Sequence, residues 1–126
     1  MSEDYRKAQR FVLQALKKDP NNEKALNNLA LIYLGKGEIT RAVNVFSKHM
    51  DKPEALNNVG YFLILQGKPD KAIPYLQQAI DSKTSYYKVA NENLEKALAM
   101  VREKKQQKLH PWLSNKRRAN ALMPIS

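Results

Sequence analysis

The side chains that most often carry chemistry are few and scattered in this sequence. The two histidines, His49 and His110, lie in different regions and there is no cysteine. Thiolate nucleophiles, disulfides and Cys-ligated zinc therefore have nothing to form from, and a metal site or His-based triad lacks convergent partners. His49 reads as the end of a helix on a partly exposed face, where a cation is favoured by the helix dipole. Among the twelve carboxylates, Glu38, Asp70, Glu92 and Glu95 fall at helix starts or on polar faces, positions where charge needs no catalytic explanation. Gly35 and Gly37 sit in GKGE between two helical patterns, whereas a phosphate-binding glycine loop joins a strand to a helix. The expectation is a chain without catalytic activity, metal or cofactor.

The charges are unevenly placed. Of the net +10, residues 100–126 hold +6, with seven basic side chains against one acidic, while residues 1–99 carry 15 against 11. A uniformly basic domain points to nucleic acid, but a near-balanced body with a basic end points to a separate tail. The 126 residues, 43% apolar and 27% charged, suit a single folded domain. No stretch approaches the roughly 18 apolar residues of a membrane span, and MSEDYRKAQR lacks the apolar run of a signal peptide. A soluble chain is expected, cytoplasmic by default.

An internal repeat supplies the elements. EKALNNLALIYLGKGEITRAVNVF, from Glu23, aligns with PEALNNVGYFLILQGKPDKAIPYL, from Pro53. In the first copy Leu26, Leu29, Ala30 and Tyr33 fall at i, i+3, i+4 and i+7, one face of a helix, followed after a glycine turn by Ala42 and Phe46 four apart. The second copy places Leu56, Val59, Gly60 and Leu63, then Ala72 and Leu76, at the same positions. Small residues at Ala30, Gly60, Ala42 and Ala72 let two antiparallel helices approach closely, while Tyr33 and Phe46 fill the space beside them. A half copy precedes: Ala8, Val12 and Ala15 match the second helix of a unit, and Ala8 lies 34 residues before Ala42.

These residues resemble the tetratricopeptide repeat, with its large residue, Leu, small residue and aromatic on one helix and Ala and Phe on the next, at a period of about 34 residues. The chain departs from the pattern in its 30-residue step from Ala42 to Ala72, in Pro74 inside a second helix, and in opening each unit with Leu rather than Trp. The resemblance implies an all-α solenoid of antiparallel helix pairs with a C-terminal capping helix. Its domain would run over 1–108, as a half repeat (2–22), repeats 23–52 and 53–83, and a cap (84–108). Helices are predicted near 2–18, 23–35, 39–50, 53–66, 69–81 and 84–107. A start in mid-repeat is expected of a longer protein that continues upstream, or of a first helix that serves as a cap.

The family binds protein segments along a concave wall lined by the first helix of each unit. With Leu26, Leu29, Ala30 and Tyr33 inward, the resemblance puts Asn27, Leu31 and Leu34 on that wall. Asn57, Tyr61, Ile64 and Leu65 stand at the corresponding places in the next unit, and Lys88 and Glu92 (with Glu95) on the cap. The amides would bond a peptide backbone and the apolar groups would supply contact area. Leu31 and Tyr61 stand where relatives that grip chaperone tails place polar clamp residues, which argues against that ligand.

Residues 53–98 are also similar to bacterial repeat proteins of pilus and secretion-system assembly, such as the Tad-type pilus accessory protein, through the short second unit and its Tyr-Tyr-Lys and Glu-Asn-Leu cap. That likeness would set the adaptor in pilus or secretion assembly, and in the periplasm if an upstream signal had been removed. Residues 109–126 form a different segment, with Trp112, Leu113, Leu122, Met123 and Ile125 beside Lys116, Arg117 and Arg118. It is expected to dock on the repeats or on a second molecule, giving self-association. The weaker alternative is binding of nucleic acid or an anionic surface through Lys104, Lys105, Lys108 and the tail's basic residues.

Overall fold

The computed structural model describes residues 3–109, which form six helices: α1 (Glu3–Lys18), α2 (Glu23–Gly35), α3 (Ile39–Phe46), α4 (Lys52–Leu65), α5 (Pro69–Asp81) and α6 (Lys88–Leu109). No strand occurs among the described residues. Helices α2 with α3 and α4 with α5 are the two complete antiparallel pairs; α1 packs on α2, and α6 packs on both α4 and α5. The inner helices α2, α4 and α6 thus form one layer, and α1, α3 and α5 the other.

The turns follow from the sequence. Gly37 (φ 81°) and Gly67 (φ 77°) adopt the left-handed conformation that side chains disfavour. This lets the chain close α2 and α4 with paired reverse bonds. Glu38 N–H donates to the Tyr33 carbonyl (2.8 Å) and Gly37 N–H to Leu34 (3.0 Å), as Lys68 does to Leu63 (2.8 Å) and Gly67 to Ile64 (3.0 Å). At the other end of α2, Asn22 Oδ1 accepts from Ala25 N–H at 3.1 Å, satisfying a helix-start donor. Asp19 Oδ1 holds the preceding turn through Asn21 N–H.

Two helix boundaries differ from the predicted ones by four residues each. Helix α3 stops at Phe46 rather than reaching residue 50. There Ser47 Oγ donates back to the Val43 carbonyl (2.8 Å), and Lys48 and His49 N–H bond to Val45 and Phe46 in tighter three-residue turns. This early stop brings α4 round within the shortened 30-residue step. Helix α6 starts at Lys88 instead of 84, because the first carbonyl to accept a helical bond is that of Tyr87, from Asn91 N–H at 3.0 Å. Pro74, the sixth residue of α5, is exposed and forfeits one backbone bond without ending the helix.

Most of the predicted inward residues form the core, although Tyr33 is only half-buried. Leu26, Leu29, Ala30, Ala42, Phe46, Val59, Leu63, Ala72 and Leu76 are all buried. A methyl added at Gly60 would stand 2.5 Å from Leu76 Cγ, so the close approach of α4 and α5 requires glycine there. The rings of Phe46 and Phe62 stack with centroids 6.2 Å apart, locking α3 to α4 across the joint between units.

Candidate functional site

The exposed side of an inner helix is what its neighbours on three flanks leave uncovered. On α4, Leu56, Gly60 and Leu63 are buried on the side of the helix that meets α5, and Asn57 bonds to α6. Ala55 and Phe62 lie on the α3 side. What is left is Glu54, Asn58, Tyr61 and Leu65, at i, i+4, i+7 and i+11, a single stripe along the helix. Tyr61 is 38% exposed and Leu65 61%, large apolar groups kept at the surface. Lys24, Asn28 and Leu31 occupy the same register on α2.

Of the residues predicted to line this surface, Leu31, Tyr61 and Leu65 lie on it. Leu31 is half-buried against the core. Tyr61 stands edge-on to Phe62 with centroids 5.4 Å apart, which fixes its ring on the stacked Phe46–Phe62 pair.

Three others are corrected by their burial. Leu34 is completely buried and Ile64 nearly so, both within the core cluster. Asn57 is buried as well, its Oδ1 accepting a 3.0 Å bond from Asn93 Nδ2 of α6. The reason is common to all three: they point along the stack, toward the next inner helix, so α4 covers Leu34 and α6 covers Asn57 and Ile64. Asn27 holds the equivalent place on α2 but is exposed, with its Oδ1 3.0 Å from Nε2 of His49, which donates. His49 is half-buried past the end of α3, so its part is to tie the joint between units to α2.

Lys88 and Glu92 are exposed on the first turns of α6 and pair with each other at 3.8 Å, one turn apart. Glu54 and Asn58 belong to the stripe and are absent from the residues predicted to line the wall. The four-three-four spacing from Glu54 to Leu65 was the available signal. Asn58 Nδ2 reaches Met50 Sδ at 3.2 Å, leaving the amide oxygen free for other partners.

Near the start of α6 the Tyr87 hydroxyl is pushed above its ordinary pKa, first by burial and then by the negative charge of Glu54. Lys83 lies over the same ring, 4.3 Å from its centroid. The Glu54 end of the α4 stripe is thereby set near the Tyr87 ring.

Among the described residues no group of three or more His, Asp or Glu side chains is placed to hold a metal, and no helix is long and apolar enough to cross a membrane. The basic and apolar tail lies outside the described residues, and with it the expectation that it docks. What the arrangement offers chemically is recognition: amide, phenol and carboxylate groups interleaved with aliphatic surface on a rigid helical layer.

Comparison with protein families gives two matches to the tetratricopeptide repeat, one model matching residues 11–44 and another residues 53–86. The first interval opens inside α1, and the second takes in α4, α5 and the turn after them. A search of curated proteins finds none that matches. The two intervals together span more than half of the residues, and their helices pair as the repeat requires: the chain belongs to the tetratricopeptide repeat family.

Proposed function

We propose that this chain is a non-catalytic adaptor that binds a protein segment across its inner layer, through Tyr61, Leu65, Asn58 and Glu54 of α4 and Leu31 and Asn28 of α2. Repeats of this family are interaction modules, and a protein partner follows from that membership. The observation that supports the location is the exposure of Tyr61 and Leu65 on an inner helix whose other apolar residues are buried or packed on the core. Leaving such groups in water forgoes roughly 1.5–3 kcal/mol apiece of possible burial. The ligand that fits is an extended or helical segment with an apolar anchor and a basic residue, the anchor for Tyr61 and Leu65 and the base for Glu54.

Pilus or secretion-system assembly is the setting proposed from the likeness of residues 53–98 to such proteins. It indicates which partners to try first.

Selection from a displayed peptide library tests the reading. Peptides enriched on the wild-type chain are expected to lose about ten-fold or more in affinity for Tyr61→Ala, with the melting temperature unchanged. Failure to enrich any peptide, or enriched peptides indifferent to both Tyr61→Ala and Leu65→Ala, would remove the inner layer as the binding surface.

A further inference from the structure

Helix α1 has the register of the outer helix of a unit. Ala8, Phe11 and Val12 stand where α3 has Ala42, Val45 and Phe46 and where α5 has Ala72, Tyr75 and Leu76. In both complete units the alanine is fully covered by the inner helix of its own pair, and Val45 is only 6% exposed. On α1 the alanine is exposed and Phe11 is 72% exposed. Val12, by contrast, packs on the core, because α2 covers it as α4 covers Phe46. The open flank of α1 is therefore the one that an antiparallel inner helix covers elsewhere in the same molecule. Two hollows mark the vacant place, one between Ala8 and Leu31–Ile32 and one between Phe11–Ala15 and Ala25–Asn28.

The flank reads Asp4, Ala8, Phe11, Ala15 and Lys18, at i, i+4, i+7, i+11 and i+14. Turned end for end about Phe11, this stripe falls onto its own complement. Asp4 meets Lys18, Ala8 falls level with Gln14 and Ala15 with Lys7, so the alanines of the two copies lie one residue apart along the axis. All six of these flanking residues but Ala15 are exposed, and the three ion pairs of the described residues lie elsewhere. The alanines allow close approach of two backbones, and the oppositely charged ends favour the antiparallel direction over the parallel one. The chain's own tail suits the flank less well: residues 110–126 carry Lys116, Arg117 and Arg118 with no Asp or Glu to meet Lys18, whereas a second α1 brings Asp4.

We propose that this flank of α1 is a homodimer interface, in which the α1 of a second copy packs antiparallel in the place of a unit's inner helix. Two-fold symmetry makes the same residues serve both copies, with the two Phe11 rings near the axis. The interface reaches the Leu31 and Asn28 edge of the proposed ligand site and leaves its Tyr61 and Leu65 part open in both copies. One helix on one helix is a small interface, and dissociation in the micromolar range is expected.

The test is sedimentation of the full-length chain at low salt, from about 1 to 200 µM, which brackets that range. A reversible dimer is expected. Phe11→Glu should weaken it about ten-fold or more, with the circular dichroism unchanged because the ring is exposed. Asp4→Lys should weaken it too, and Asp4→Lys with Lys18→Asp in one chain should restore it, since the swap re-creates both pairs. A monomer throughout that range would overturn the proposal. So would a dimer indifferent to Phe11→Glu, or a swapped variant no tighter than Asp4→Lys alone.

Discussion

Helices α1 and α5 hold the same place in the repeat, yet they meet different fates. Leu76 and Ala72 of α5 are fully buried between α4 and α6, while the equivalent Val12 of α1 is half-buried and Ala8 is open. The end near α6 is closed further by the Asn57–Asn93 bond and by Lys104 Nζ, which donates to the carbonyl of Gly67 at 2.7 Å. A motif position thus prescribes a residue type, and the neighbouring helices decide how much that residue contributes.

That contrast can be broken most forcefully at the equivalent large residues. Leu76→Ala is expected to cost about 2–5 kcal/mol in chemical denaturation, since a buried side chain is removed and a cavity is left. Val12→Ala should cost clearly less, because its site already meets solvent. Equal losses would mean that α1 is as enclosed as α5.

The small residues give the next effect. Ala72→Leu should overpack the α4–α5 joint and lower stability by about 1–3 kcal/mol. Ala8→Leu, measured at sub-micromolar protein, should fall within about 0.5 kcal/mol of wild type. A neutral Ala72→Leu would contradict the pairing of α4 with α5.

The closed end also depends on a polar pair. Asn93→Ala leaves Asn57 Oδ1 buried without its donor, and a loss on the order of 1–3 kcal/mol is expected. Removing both amides as Asn57→Leu with Asn93→Ala should recover part of that loss, because no orphaned polar group is left. A double variant worse than the single would show that the bond does more than satisfy two amides.

The smallest effect is a dependence on pH. Tyr87 is raised above the ordinary phenol value, so its neutral form is the one the fold favours. Its contribution is whole below the unfolded value of about 10 and is lost as pH rises through the raised folded value. The melting temperature should therefore decline faster in strongly alkaline solution for wild type than for Tyr87→Phe.

Much of this was legible in the sequence. The Ala-Leu-Asn-Asn repeat, the spacing of Leu26, Leu29 and Ala30, and the glycines at 37 and 67 specify the helix pairs, because each meets a local steric requirement. Periodicity also shows which face meets the helix of the same unit. It does not separate two other faces that are both mixed in character, the one toward the next unit and the one toward solvent. Periodicity alone therefore puts Leu34, Ile64 and Asn57 on the free surface, although all three are buried. The amide of Asn57 looks like a ligand group in sequence, and its partner Asn93 lies 36 residues away. The exposed Leu65 is the converse case, since nothing in its type sets it apart from the buried Ile64 beside it.

Tyr61 is proposed to face a ligand, while Asn57, four residues earlier on the same helix, holds the stack together. Calorimetric titration of one selected peptide into wild type, Tyr61→Ala and Asn57→Ala, with a melting curve for each, tests it directly. Tyr61→Ala should bind about ten-fold more weakly at an unchanged melting temperature, and Asn57→Ala should melt at a lower temperature with nearly unchanged affinity of the folded protein. The opposite pattern, affinity lost at Asn57 and stability lost at Tyr61, would contradict it.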